Sequence, residues 1–172
     1  MGARLREVFS FPNPVNEVAA RVVAGGVVVL CAATIGFHEM WLLVPLAYGF
    51  WARVLSGPSL SPLGQLAVRV VAPALAAPKL VAGPPKRFAQ AIGVVFSTTA
   101  LVLWFGFGLD IAAMGVVAAL AAAAFLESAL GLCLGCRMFS VLMRAGVVPE
   151  EVCEACADIT LRYPELRQPV GV

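Results

Sequence analysis

Between Arg87 and Asp110 the chain runs for 22 residues, FAQAIGVVFSTTALVLWFGFGL (88–109), without one charged side chain. About 20 apolar residues at roughly 1.5 Å each match the ~30 Å hydrocarbon thickness of a bilayer. No water is available there, so such a run must satisfy its own backbone N–H and C=O groups as a helix. The segment VVAGGVVVLCAATIGF (22–37) is sixteen residues without a charge, and Asn16 to Arg21 extend it toward the interface. The run after Asp110, IAAMGVVAALAAAAFLESALGLCLGC, carries a single charge, Glu127, and its Ala and Gly content suits close helix packing in lipid. MWLLVPLAYGFWA (40–52) is shorter, with Trp41, Tyr48 and Trp51 placed as interfacial anchors. It crosses if His38, Glu39 and Arg53 to Leu55 form its margins.

The expected fold is therefore an all-α membrane protein, a single domain over 1–172 with four transmembrane helices at approximately 18–37, 39–54, 88–109 and 111–134. Composition agrees. The 172 residues are 61% hydrophobic and 13% charged, with a mean hydropathy of +0.94, against roughly 25% charged in soluble domains. A net charge of +2, with no basic block and no Gly-rich phosphate loop, excludes a nucleic-acid or nucleotide-phosphate binder. Arg4 and Arg6 resemble a signal-peptide n-region, but Pro12, Pro14, Glu17 and Arg21 interrupt the apolar core that should follow, so the first segment is expected to be retained.

The turns HEM (38–40) and GLD (108–110) contain no Lys or Arg, whereas all twelve basic residues fall at the opposite ends of the four segments. The positive-inside rule then places both termini and the middle segment in the cytoplasm. That segment, 55–87, is apolar but punctuated by turn residues. Ser61 and Pro62 read as an N-cap and first helical position, followed by a helix that Pro73 should stop. It either lies flat at the lipid headgroups or packs beneath the bundle. Residues 135–172 form a cytoplasmic hairpin and tail, in which PEEVCEACADI reads as a short helix started by Pro149.

Two Cys-x-x-Cys pairs mark the last third of the chain: Cys133 with Cys136, and Cys153 with Cys156. The spacing C-x2-C-x16-C-x2-C falls within a zinc-site pattern, and four thiolates suit a closed tetrahedral zinc centre. Iron is a less favoured occupant. Placed on one unbroken helix, Cys133 and Cys136 lie roughly 15–20 Å from a turn at Gly146, too far to join Cys153 and Cys156. A shared site thus requires the helix to break early, at Gly131 or Gly135. The competing chemistry is thiol redox or sulfur transfer. Late in a helix, as the apolar run suggests, the first pair is disfavoured as a thiolate by the dipole. The second pair begins a helix, although Glu150, Glu151 and Glu154 oppose its ionisation. Cys31 stands alone in the first segment and reads as core packing.

Glu127 is an ionisable group inside a span, where such groups are costly and often functional; Arg87 is the expected partner. His38 reads as a surface loop residue, and Ser97, Thr98 and Thr99 as bonding back to helix carbonyls. No nucleophile–base–acid set is visible, so enzymatic activity is left open.

The stretch GPSLSPLGQLAVRVVAPALAAPKLVAGPPKRFAQAIGVVFS, the Glu127 to GLCLGC helix and VCEAC together resemble the bacterial membrane proteins grouped as DUF4395, from about Phe11 to Ile159. The resemblance implies a multi-pass bacterial plasma-membrane protein with important cysteine pairs and a thioredoxin-like or sulfurtransferase partner. It implies no mechanism. The function expected is thus a cytoplasm-facing site built from Cys133, Cys136, Cys153 and Cys156, holding zinc. The alternative is a dithiol redox or sulfur relay, and a further one a small-solute transporter gated near Glu127.

Overall fold

The structure, a computed structural model, describes residues 13–146. It is helical apart from one two-residue antiparallel pairing. Strand β1 (Val15–Asn16) leads into α1 (Glu17–Phe37), then α2 (Met40–Ser56, its first turn 3-10) and α3 (Pro62–Leu75). Strand β2 (Leu80–Val81) precedes α4 (Gly83–Gly106), α5 (Asp110–Leu130) and α6 (Leu134–Arg144).

Helices α1, α4 and α5 are long and apolar enough to cross a membrane. Helix α2 is not: its 17 residues reach about 25 Å at 1.5 Å each, short of the ~30 Å core. The expected second span is therefore a real helix of lesser length. Helix α1 packs along α5, α2 along α4, and α4 against both α5 and α6. Leu43, Leu46, Phe50, Val27, Val117 and Cys31 fill the shared core.

Lipid tails are as apolar as leucine, so burial alone drives little helix association in a bilayer, and small residues must bring backbones close. Glycine does this at two interfaces. A Cβ at Gly93 would strike the Phe50 ring between α4 and α2, and one at Gly135 would lie 2.5 Å from the Ala89 backbone between α6 and α4. Beside the second contact, the Phe88 and Phe139 rings meet at 5.6 Å.

The start of α1 is fixed by Asn16, whose side chain accepts from the Val18 N–H at 3.0 Å. β1 pairs with β2 in the register Val15↔Val81, and Lys79 meets Glu17 at 2.7 Å. Ser61 caps α3 as expected, accepting from the Gly64 N–H at 3.2 Å, with Pro62 in the first turn. Pro73 does not stop it. Five residues, Ala67–Val71, take a π turn and the helix continues to Leu75; such a widened turn re-registers the hydrogen bonds ahead of the missing proline N–H. Ala67 and Ala72 of α3 pack on Ala19 and Val23 of α1, leaving Leu66, Val70 and Leu75 exposed.

Candidate functional site

The pair Cys133/Cys136 was expected late in a long helix, and the structure corrects this. Helix α5 ends at Leu130, where Gly131 takes φ +68°. The Leu132 N–H bonds to the Leu126 carbonyl at 3.0 Å and the Gly131 N–H to that of Glu127 at 3.1 Å. The Gly131 bond is the closure of an αL cap, with Leu132 reaching one carbonyl further back than a Schellman stop would. The left-handed residue is nearly free of strain only as glycine. Three residues later α6 begins afresh. Cys133 is its N-cap, extended at φ −81° and ψ 105°, and Cys136 its third residue. These are the two positions whose side chains reciprocate in a capping box; here both are thiols. Of the two glycines expected to matter, Gly131 makes the break and Gly135 the close contact with α4.

A helix N-terminus favours a thiolate. Cys133 is buried and Cys136 partly so. The hydrogen bond donated by Cys136 holds the Cys133 thiol below its usual 9.0, over the opposing effect of burial. The Lys86 ammonium assists and the Glu127 carboxylate opposes. Cys136 is pushed up, first because it is the donor in that bond and then by burial. The two thiols therefore differ in acidity.

Glu127 finds a cation, though not the one expected. Lys86 Nζ donates to Glu127 Oε1 at 2.7 Å, with both side chains largely buried, while Arg87 Nε donates to the Val54 carbonyl at 3.2 Å. The reason is where α4 starts. Pro84 and Pro85 occupy its first turn, so the helix begins at Gly83 and not at Phe88, which puts Lys86 on the inward face one residue before the predicted partner. Removing one member of a buried pair costs about 3–5 kcal/mol, because the other charge is left uncompensated.

Arg21 reaches across from α1 to donate to the Ser128 carbonyl at 3.0–3.1 Å and to that of Ala129 at 3.1 Å. It thereby covers the last orphan carbonyls of α5, where a cation is favoured. Arg53 was expected only as a helix margin, yet it is 5% exposed. Its Nε donates to Gln90 Oε1 at 2.8 Å and its Nη1 to Ser61 Oγ at 3.3 Å, and it lies over the Phe50 ring at 4.6 Å. Arg53 Nη2 is buried and has no hydrogen-bond partner among the described residues. Its sequence signal was its place at the end of an apolar run, where snorkelling is the ordinary expectation.

Cys133 stands between two hollows. On the inner side lies a mostly apolar cavity of about 310 Å³, bordered by Phe50, Gly93, Leu120 and Met138, with Arg53, Gln90, Glu127 and Cys133 as its polar edge. On the outer side a cleft of about 380 Å³ is bordered by Glu17, Lys86, Cys133, Cys136, Arg137 and Ser140.

A family model for a domain of unknown function, DUF4395, matches residues 15–144. The chain belongs to the DUF4395 family. The match takes in α1 to α6 together with the Cys133 and Cys136 pair and shows the family read from the sequence, ending before Cys153 and Cys156. Neither a curated protein nor a solved structure matches the chain.

The remaining expectations divide. Cys31 is fully buried in the core as read, and His38 is an exposed residue closing α1 in the left-handed region at φ 55°. Ser97 bonds back to the Gly93 carbonyl at 2.8 Å, whereas Thr98 accepts from Trp51 Nε1 at 3.2 Å. Cys153 and Cys156 lie outside the described residues, as does the helix read around them. Among the described residues no three Cys, His, Asp or Glu side chains are gathered as a metal site needs. Cys133 and Cys136 supply two of the four thiolates that a zinc centre would take.

Proposed function

We propose that this DUF4395 protein is a membrane dithiol relay, exchanging electrons or sulfane sulfur with a soluble thioredoxin-like or sulfurtransferase partner through Cys133 and Cys136. The observation that carries this reading is the placement of Cys133 at the N-cap of α6 with Cys136 three residues on. There the helix dipole and the Cys136 hydrogen bond favour the Cys133 thiolate. Both thiols border the outer cleft, where Cys136 is the more exposed of the two. Among the described residues, the basic side chains belong to the ends of α1, α2, α4 and α6 and to the segment around α3, while His38, Glu39 and Asp110 occupy the other turns. By the positive-inside rule that end faces the cytoplasm of a bacterial plasma membrane, and α2 crosses as a fourth, short span with Trp41 at its margin.

The second reading is a zinc site shared with Cys153 and Cys156. The break at Gly131 falls before Cys133, and α6 runs unbroken from Leu134 to Arg144. Both thiols therefore still lie roughly 15–20 Å from Gly146, and the tail would have to return to them. Zinc held by all four thiolates would then pin the tail to the bundle. One preparation separates the two: metal content per chain, and free thiols before and after mild reductant. Reductant-dependent release of a Cys133/Cys136 pair without metal is the relay's result. One bound zinc with four masked thiols contradicts it.

A further inference from the structure

The inner cavity holds a feature that the dithiol alone does not explain. Arg53 is a cation buried among α2, α3 and α4, and its described partners are an amide oxygen, a hydroxyl and a ring. None of these carries a negative charge. The carboxylate that borders the same cavity, Glu127, is already paired with Lys86. The Glu127 carboxylate also acts on Arg53 through space, but it is neutralised by Lys86, so the buried guanidinium is under-compensated. Its Nη2 has no acceptor among the described residues. The rest of the wall is the Gln90 amide with Val, Ala, Ile, Phe, Leu, Met and Gly. An inorganic anion would lose its hydration there for little more than the Arg53 and Gln90 donors. The chemistry that suits the space is an apolar ring bearing an oxygen that accepts from Arg53 and gains negative charge during the reaction.

We propose that the cavity binds the head of a membrane quinone, with one carbonyl oxygen on Arg53, and that the quinone is the electron acceptor for Cys133 and Cys136. This rests on the dithiol reading above and names its lipid-side substrate. The two S–H bonds break as the Sγ–Sγ bond forms, and the thiols lose two electrons and two protons. The quinone gains both, each C=O becoming C–OH, so the products are one disulfide and one hydroquinone. Negative charge grows on the carbonyl oxygen as electrons arrive, and a preorganised cation beside it lowers the barrier most at that moment. Cys133 borders both hollows, so a disulfide formed against the quinone can be passed to a dithiol partner in the outer cleft.

The test uses the full-length chain in lipid nanodiscs, thiols reduced, with decylubiquinone as the probe. The expected result is a rate that saturates with quinone, consuming two thiols per hydroquinone formed. In a Cys133→Ser/Cys136→Ser background, equilibrium binding of the same quinone should weaken by about ten-fold on Arg53→Met, and Arg53→Lys should recover part of it. Near-ultraviolet circular dichroism of each Arg53 variant checks that the bundle is intact; if Arg53→Met is not folded, Arg53→Lys alone carries the comparison with the parent. A rate linear in quinone, or binding equal in all Arg53 forms, overturns the proposal. So does tight binding of oleate with none of the quinone. If wild type forms the Cys133–Cys136 disulfide in a glutathione buffer yet is inert to quinone, the quinone is wrong and the relay stands. If no disulfide forms in either, both fall.

Discussion

The two turns that flank α5 share one backbone device and differ in everything attached to it. At Gly108, φ +63°, the Leu109 N–H bonds to the Leu103 carbonyl and the Gly108 N–H to that of Trp104. At Gly131, φ +68°, the same pair of bonds closes α5. The first turn has open space around its glycine and the next helix begins at Asp110; neither that helix nor α6 has a side-chain cap bond at its start. The second has the Arg21 guanidinium 3.7 Å from where a Cβ would stand, the Lys86–Glu127 pair nearby and a thiol at the cap of the next helix. A helix stop fixes only the chain path. What makes one stop a site is the set of charges and nucleophiles that neighbouring helices bring to it.

The largest effect that would separate the two turns comes from the ion pair. Lys86→Met should destabilise the bundle by about 3–5 kcal/mol in bicelle unfolding, and adding Glu127→Gln should restore a large part of that loss. A double-mutant cycle with no coupling would remove the pair from the account. Next come the glycines. Gly108→Val and Gly131→Val should each cost about 1–2 kcal/mol for a left-handed non-glycine residue, but only Gly131→Val should slow alkylation of Cys133. Equal thiol kinetics in both variants would show that the break does not set the reactivity.

A comparable effect, about ten-fold in rate, is expected between the two thiols themselves. At neutral pH iodoacetamide should modify Cys133 about ten-fold faster than Cys136, since the thiolate is the reacting form. The Cys133 rate should level off below the usual thiol value of 9.0 as pH rises, because its acidity is enhanced. A matched pair of profiles would contradict the cap geometry. Smallest is Arg21→Gln: loss of a charged cap at the end of α5 should cost about 0.5–1 kcal/mol. It should leave the opposite turn, where the Trp41 and Trp104 rings meet at 5.4 Å, unperturbed by fluorescence.

How much of this was legible beforehand follows from what each signal encodes. Uncharged runs gave the three long helices and the bundle, because hydrocarbon length and backbone satisfaction leave few alternatives. The Ser61–Pro62 helix start was readable for the same kind of local reason. Charge-free composition, by contrast, hid the break at Gly131. Leu132 and Leu134 are as apolar as the helix before them, so hydropathy runs on while the backbone turns. The same habit of ending a span at the nearest charge set α4 to begin at Phe88, and so missed Lys86 on its inward face. Arg53 was missed because its burial depends on Gln90, Ser61 and Phe50, which sequence distance does not bring together. The cysteines were identified from spacing alone, but their chemistry depended on which end of a helix they occupy.

The central claim, that Cys133 and Cys136 form a redox-active pair at a helix start, is tested most directly by equilibrating the full-length protein across a series of glutathione redox buffers. Mass spectrometry then maps the thiols. The account predicts a Cys133–Cys136 disulfide that appears as a single two-electron transition and is unmoved by a zinc chelator. Thiols that stay reduced across the series, or that become oxidisable only once a chelator has stripped one zinc per chain, would contradict it.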